Sequence, residues 1–202
     1  MAFSFGMISG MQSVIGIDEV GRGPLAGPVA VGAALLPIEL NDWKHWEGLK
    51  DSKKLTEKKR EEWYLRIEAD PRIRWGVSSS GARIINLRGI VAATREAAVR
   101  ALESVGSTPA EAHVVLDRGL SVPDIWKQEQ FTKGDENIPA IAIASIMAKV
   151  TRDRYMVGLG EKYPGYGFEA HKGYGTKFHQ DAIRAKGAIK DIHRTLFIRS
   201  LT

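Results

Sequence analysis

Residues 14–17 are a short apolar run that leads into two adjacent acids, Asp18 and Glu19, and then into the glycine-rich turn Gly21–Gly23. A short apolar run closed by glycine is typical of a buried strand. Glycine lets the backbone approach a ligand closely, the guanidinium of Arg22 matches a phosphate with paired donors, and carboxylates bind hard divalent cations. The segment therefore predicts negative charge, backbone N–H groups and an arginine at the end of one strand.

Two further acids occupy comparable positions. Asp117 follows the apolar run 113–116, and Asp135 follows Lys133 and Gly134 just before a long predicted helix. A single acid pair at a strand end is most often a solvated turn. Four acids on three segments, each at the edge of a strand or helix, are instead typical of a metal site built from oxygen ligands. Mg²⁺ and Mn²⁺ suit such ligands, whereas zinc prefers histidine or cysteine.

The composition is that of a globular protein with a basic excess. The 202 residues, 44% of them hydrophobic, predict a single domain, 1–202, with a loose N-terminal extension over 1–13 and a C-terminal helical segment and tail over 176–202. The net charge of +5 coexists with a predicted acid cluster, which favours a polyanionic partner. There is no cysteine, and the spacing of His171, His179 and His193 suggests no zinc site. No apolar run reaches the roughly 18 residues that span a bilayer, so we expect a cytoplasmic protein without a membrane partner.

Periodicity and turn residues predict the secondary structure. Apolar runs predict adjacent strands over 14–17 and 28–36, and further strands over 73–78 and 113–116. Helices are predicted from the N-cap Thr56 to about Ala69, over 84–104, over 139–162 and over 177–186. Strands mingled with helices indicate a mixed α/β sheet flanked by helices.

One arc of the helix predicted over 139–162 is polar and carries Ser145, Lys149, Arg152 and Asp153. Periodicity alone leaves two interpretations open, a solvated face or a face turned toward the acids. Asp153 is expected to orient Arg152 or a backbone group rather than to take part in catalysis.

Five stretches of the chain resemble the ribonuclease HII family and follow the family's order over about residues 14–195. They are 16–29 (GIDEVGRGPLAGPV), 51–55 (DSKKL), 133–135 (KGD), 144–153 (ASIMAKVTRD) and 171–176 (HKGYGT). The chain departs from the family pattern at Arg118, which stands where the family usually has the glycine that follows its third acid.

The resemblance implies a ribonuclease H-like fold, in which a five-stranded mixed sheet is flanked by helices and the acids lie at its centre. It favours Asp18, Glu19, Asp117 and Asp135 as catalytic residues and as ligands of two divalent ions, Mn²⁺ or Mg²⁺. It also implies that the backbone of Gly21, Arg22 and Gly23 senses the 2′-hydroxyl and that Tyr174 stacks on the neighbouring sugar. Further contacts to the substrate's phosphates are expected from Lys53, Ser145, Lys149 and Lys172.

The sequence therefore predicts an endoribonuclease that uses two metal ions. It would hydrolyse the RNA strand of RNA–DNA hybrids and nick duplex DNA 5′ of an embedded ribonucleotide, leaving a 3′-hydroxyl. The implied roles are primer removal and ribonucleotide repair, with nucleic acid as partner, a sliding clamp as an open possibility, and a monomeric state.

Three alternatives are weaker. Ribonuclease HIII carries an additional N-terminal domain, for which about a dozen residues leave no room. A catalytically dead binding module would not be expected to keep four carboxylates next to a polyanion. A related phosphoryl transferase, such as a DNA recombinase, is disfavoured by the motif around Tyr174.

Overall fold

A five-stranded mixed sheet forms the centre of the computed structural model, which describes residues 11–49 and 55–201. The strands are β1 (Ser13–Val20), β2 (Val29–Pro37), β3 (Arg74–Ser80), β4 (Ala112–Asp117) and β5 (Gln128–Phe131). Their order in the sheet is β3-β2-β1-β4-β5. β1 runs antiparallel to β2 and parallel to β4, so the sheet is mixed, as predicted.

Seven α-helices are found in the described part of the chain. They are α1 (Glu57–Glu68), α2 (Ala82–Arg88), α3 (Ile90–Ser104), α4 (Gly134–Asn137), α5 (Pro139–Lys162), α6 (Phe168–His171) and α7 (Lys177–Lys186). The hydroxyl of Thr56 accepts the N–H of Lys59 and caps α1, and Pro139 opens α5, so both predicted helix starts are confirmed.

The helix predicted over 84–104 is wrong in one respect, because the segment is divided into α2 and α3. Gly89 ends the first helix and precedes the second with φ of +80°, a left-handed conformation that glycine adopts readily. β5 and the two single-turn helices α4 and α6 were not predicted, since four-residue elements are too short to show periodicity.

The two faces of the sheet carry separate apolar cores. Alternate residues of β1 point to opposite sides, so that Val14 packs with α5 while Ile15 and Ile17 pack with α3. Val14, Ile15 and Ile17 are fully buried. Both layers of helices therefore have apolar surface to cover, and β1 and its neighbours are held from both sides.

Two glycines allow α5 to lie directly on the sheet. A Cβ atom at Gly16 in β1 would come within 2.1 Å of the Ala140 backbone, and one at Gly32 in β2 within 2.2 Å of the Ala144 carbonyl oxygen. Any larger residue would push the helix away. Because Asp18 follows Gly16 on the same face, this close packing brings the polar arc of α5 next to the acids.

Several predicted features lie at or beyond the limits of the described residues. Lys53 and most of the 51–55 motif lie outside them, as does most of the predicted extension 1–13. Beyond α7 the chain is not helical but returns to the β1–β2 connection, where His193 forms a bridge with Ala26. Among the described residues, no helix is both long and apolar enough to cross a membrane.

Candidate active site

The acids meet because their strands are parallel neighbours. β1 and β4 end at the same edge of the sheet, and the pairing of Ile17 with Leu116 places the next residues, Asp18 and Asp117, side by side. One oxygen each from Asp18, Glu19 and Asp117 can be chosen so that all three lie within 4.8 Å of one another. Such a group of oxygens can hold a hard divalent cation.

The electrostatics of this group favour a bound cation. Asp18 is only 3% exposed. Burial raises its pKa to about 8; the Ser145 hydroxyl bond opposes that rise, and the charges of Asp117, Glu19 and Asp135 add to it. Burial also raises the pKa of Glu19, and Arg22 partly offsets the rise. A divalent ion would remove the repulsion among these carboxylates.

Glu19 retains capacity for a ligand. Its Oε1 atom lies 3.4 Å from Nη1 of Arg22, but its buried Oε2 atom has no hydrogen-bond partner among the described residues. A buried carboxylate oxygen without a donor is costly unless something else binds it. The donor set therefore fits a hard metal ion held by Asp18, Glu19 and Asp117.

Asp135 lies next to this group but is not one of the three residues within 4.8 Å. It is buried in α4, and its charge contributes to the raised pKa of Asp18. The N–H of the preceding Gly134 donates to Oδ1 of Asp117 over 2.9 Å and so orients that carboxylate. The role of Asp135 as a fourth ligand remains a prediction.

The Gly21–Gly23 turn follows the acids directly. Gly21 has φ of +85°, and a Cβ atom there would come within 2.2 Å of Nε of Arg152, so only glycine fits. Gly23 is exposed, and a Cβ atom there would meet nothing within 4 Å in the described chain. The space beside Gly23 is therefore open to a ligand.

A pocket of about 260 Å³ opens between these elements. It is lined by Asp18, Glu19, Val20, Gly21, Arg60, Ser145, Ile146, Lys149 and Tyr174. Tyr174 is 42% exposed and lies on the loop between α6 and α7. The structure thus brings together predicted residues from three segments of the chain.

Sequence reasoning missed Arg60, the α1 residue that lines this pocket. Its Nη1 atom donates to the carbonyl of Leu55. Several basic residues occupy the same stretch of chain, and no spacing distinguishes Arg60 from the others. Only the packing of α1 against α5 reveals it.

Three of the four residues of the polar arc of α5 are buried and the fourth, Lys149, is half-buried, so the solvated-face interpretation is wrong. Ser145, Arg152 and Asp153 are each less than a tenth exposed. Asp153, which was expected to orient Arg152 or a backbone group, has a different hydrogen-bond partner in the structure. Asp153 accepts a hydrogen bond from Lys149 over 2.9 Å, while Arg152 donates to the carbonyls of Pro28 and Ala26.

Two further basic residues, Lys172 and Arg118, have hydrogen-bond partners in the structure. The ammonium of Lys172 donates to the carbonyl of Glu169, its side chain is only 13% exposed, and it is not among the residues lining the pocket. Arg118 is exposed and lies 3.4 Å from the hydroxyl of Thr132, and no ion pair joins it to Asp117 within the described ranges. Phosphate contacts by Lys149 and Lys172 remain predictions.

Comparison with known proteins agrees with this geometry. The family model described as Ribonuclease HII matches residues 15–200. The chain is 45% identical over 188 residues to the ribonuclease HII of Bacillus thuringiensis (strain Al Hakam), an alignment that covers 93% of this chain and 70% of that protein.

Solved structures of similar proteins share the fold. The ribonuclease H2 of Pyrococcus horikoshii OT3 superposes with a TM-score of 0.74 at 25% identity, covering 94% of this chain and 96% of that one. A PCNA:RNase HII complex from Archaeoglobus fulgidus has a TM-score of 0.71 at 24% identity, with 89% and 92% covered. Bst-RNase HIII in complex with Mn²⁺ has a TM-score of 0.72 at 19% identity, with 95% and 68% covered. The chain therefore belongs to the ribonuclease HII family, whose members are metal-dependent endoribonucleases that act on RNA–DNA hybrids.

Proposed function

We propose that this enzyme hydrolyses the RNA strand of RNA–DNA hybrids and also nicks duplex DNA on the 5′ side of an embedded ribonucleotide, leaving a 3′-hydroxyl. The observation that carries the proposal is the group of Asp18, Glu19 and Asp117 beside a pocket that Tyr174 also lines. One side of that pocket supplies metal ligands, and the other supplies a sugar-sized aromatic surface.

The acids would hold two divalent cations, Mn²⁺ or Mg²⁺, with Asp135 as the fourth ligand. When bound, such ions activate the attacking water and stabilise charge on the leaving oxygen. The protein's own contribution is orientation. Gly134 fixes Asp117 through its N–H, and Ser145 bonds to Asp18.

Selectivity for ribose would come from the Gly21–Gly23 turn together with Tyr174. Phosphates are alike in DNA and RNA, so the 2′-hydroxyl is the local difference. A backbone N–H of the turn can meet that hydroxyl where a side chain would block it. Lys149, and Arg60 across the pocket, would contact the phosphates.

A sliding clamp and a monomeric state complete the proposal. The structure of the Archaeoglobus fulgidus relative is a complex with PCNA, which makes a clamp a reasonable partner to test by gel filtration of a mixture. The same experiment, with light scattering on the protein alone, reports its oligomeric state.

Three labelled duplexes of one length test the activity. They are a continuous hybrid, a DNA duplex with one ribonucleotide, and an all-DNA duplex, each incubated with Mg²⁺, with Mn²⁺ or with chelator. We expect cleavage of the first two only, no cleavage in chelator, and product 3′ ends that a polymerase can extend. Cleavage of all-DNA duplex, or activity that survives chelator, would contradict the proposal.

A further inference from the structure

The Gly21–Gly23 turn is held from behind by a buried arginine. Arg194 is fully buried, and its guanidinium donates to the carbonyls of Gly21 over 2.7 Å, Arg22 over 2.8 Å and Gly27 over 3.0 Å. No ion pair joins it to a carboxylate within residues 11–49 and 55–201. Burial and the nearby Arg152 lower its pKa to about 9. Because an uncompensated buried cation is costly, these carbonyls are needed to stabilise it.

These hydrogen bonds fix the direction of two peptide planes. In a trans peptide the C=O and the N–H of the same plane point in opposite directions. When Arg194 draws the carbonyls of Gly21 and Arg22 toward itself, the N–H groups of Arg22 and Gly23 point away from it. Neither of those N–H groups donates to another residue in the described chain. They are therefore available to a ligand on the open side of the turn.

The residue before Arg194 acts in the same way on the Tyr174 loop. Nδ1 of His193 accepts the N–H of Ile189 over 2.8 Å, so the ring proton of the neutral imidazole lies on Nε2. That atom lies 3.2 Å from Nε2 of His179, whose Nδ1 lies 2.9 Å from the carbonyl oxygen of Tyr174. Since a carbonyl only accepts, His179 donates to Tyr174 and accepts from His193. The result is a directional relay from the backbone at Ile189 to the backbone at Tyr174.

The chain at His193 and Arg194 is itself anchored. The N–H of Arg194 donates to Leu25 over 2.8 Å, and the side chain of Asn86 bonds the carbonyl of His193 and the N–H of Thr195. Both residues are thus fixed to α2 and to the β1–β2 connection.

We propose that the dipeptide His193-Arg194 sets the distance between the Gly21–Gly23 turn and the Tyr174 loop, and that both residues are positioning residues for recognition of a single ribose. The inference rests on the proposed function and adds a specificity determinant from the C-terminal segment. Neither residue touches substrate. Each acts by orienting the backbone of an element that does.

The deciding variants are Arg194→Lys, which keeps the charge but loses the three-way fork, and His193→Gln, which breaks the relay. Arg184→Lys on the exposed side of α7 and His45→Gln at the exposed end of a single-turn 3-10 helix are matched controls. For each protein we would measure kcat/KM on duplex DNA with one ribonucleotide and on the continuous hybrid. Mn²⁺ affinity by calorimetry and Tm are measured in parallel.

We expect Arg194→Lys to lower kcat/KM on the single ribonucleotide by about 10-fold or more, because misplacing a positioned group by 1 Å can cost roughly 100-fold. The loss on the continuous hybrid should be smaller, since neighbouring riboses offer other registers, and Mn²⁺ affinity should stay within about twofold. His193→Gln should likewise lower the ratio of kcat/KM on the single ribonucleotide to kcat/KM on the continuous hybrid. The two controls should leave this ratio unchanged.

Equal losses on both substrates, or an unchanged ratio, would overturn the inference while leaving the proposed function intact. If the wild-type protein cleaves neither substrate, the proposed function fails and the inference fails with it. If Arg194→Lys does not fold, as judged by circular dichroism, the ratio measured for His193→Gln decides the matter alone.

Discussion

The acid cluster (Asp18, Glu19, Asp117 and Asp135) and the histidine–arginine cluster (His171, His179, His193, Arg152 and Arg194) both consist of ionisable groups withdrawn from water near the Gly21–Gly23 turn. They differ in how their hydrogen-bonding capacity is used. All six ring nitrogens of the three histidines have a partner within the chain. In the acid cluster, Oε2 of Glu19 has none among the described residues, and neighbouring carboxylates add to the rise that burial causes in the pKa values of Asp18 and Glu19.

This difference distinguishes residues that can bind a ligand, the acid cluster, from residues that fix the geometry around them, the histidine–arginine cluster. Groups that repel each other and keep unused lone pairs await a ligand, here a cation. Groups whose donors and acceptors are used internally fix geometry instead. Nη1 of Arg152 is an exception in the second cluster, since it is buried without a hydrogen-bond partner among the described residues. The histidines thus support the Tyr174 loop.

Removing a metal ligand should have the largest effect. Losing a residue that only hydrogen-bonds to a metal ligand typically costs ~10–100-fold. Asp117→Asn loses a ligand itself, so it should lower turnover by at least that much. Substrate affinity should be retained, because less negative charge faces the phosphates. Steady-state cleavage of the hybrid and fluorescence anisotropy measure the two quantities. The exposed Asp124→Asn is the control, and near-normal turnover of Asp117→Asn would remove the acid cluster from the catalytic site.

Truncating the aromatic surface of the pocket should have a smaller and substrate-dependent effect. Stacking on nucleic acid is worth roughly 1–3 kcal/mol per contact, so Tyr174→Ala should lose more activity on a single embedded ribonucleotide than on a continuous hybrid. Tyr174→Phe should fall in between, and Tyr155→Ala on the surface of α5 should match the wild type. Equal losses of Tyr174→Ala on both substrates would mean that Tyr174 supports the fold or the metals.

The acid cluster should also destabilise the metal-free protein at high pH. The pKa of Asp18 rises from 3.8 to about 8 on folding. A raised carboxyl pKa contributes stability below the unfolded value, and this is lost as the pH rises through the folded value. Asp18→Asn stays neutral, so at pH 8 in chelator it should melt at least roughly 2–4 °C above the wild type, the change in Tm expected for about 1 kcal/mol.

The same comparison should reverse when metal is added. Mn²⁺ should raise the Tm of the wild type by mass action and that of Asp18→Asn much less. If Asp18→Asn melts no higher than the wild type at pH 8 in chelator, ionisation of Asp18 does not destabilise the metal-free protein.

The histidine–arginine cluster predicts the opposite pH dependence. Burial lowers the pKa of His179 from 6.5 to about 4. A depressed histidine pKa contributes stability above the unfolded value, which is lost as the pH falls from about 6.5 toward 4. The unfolding free energy in urea should therefore drop more between pH 7 and pH 5 for the wild type than for His179→Gln. Each tenfold fall in the proton affinity of His179 on folding is worth about 1.4 kcal/mol, and this sets the upper limit on the extra drop. His45→Gln should show the same dependence of unfolding free energy on pH as the wild type.

The two clusters also differ in how far the sequence predicts them. The acids follow apolar runs, and a parallel pair of strands must bring Asp18 and Asp117 to one edge, so the site was predictable from strand ends. Four of the five strands and the start of α5 were predictable for the same local reasons, from apolar runs and Pro139. The division at Gly89 was missed because a single glycine is tolerated in a helical pattern.

The histidine–arginine cluster was not predictable, because its contacts join residues far apart in the sequence. Arg194 reaches Gly21 across more than 170 positions, and no period or spacing links them. Likewise the burial of Arg152 depends on glycines in β1 and β2 that let α5 approach. Side chains whose partners are backbone carbonyls leave no complementary residue in the sequence to identify.

Arg118 should show the smallest effect and tests how sharply the acid cluster is bounded. It follows Asp117 directly but is exposed, with Nη1 3.4 Å from the Thr132 hydroxyl. An exposed cation contributes roughly 0.2–1 kcal/mol to a pairing interaction. Arg118→Gly, which restores the usual family residue, should therefore weaken duplex binding by no more than a few fold and leave the Mn²⁺ requirement unchanged. Binding measured at several salt concentrations should show a log–log slope shallower by about 0.9 if one phosphate contact is lost. A large rise in activity would instead mean that Arg118 competes with the metal for Asp117 and so weakens metal binding by the acid cluster of this chain.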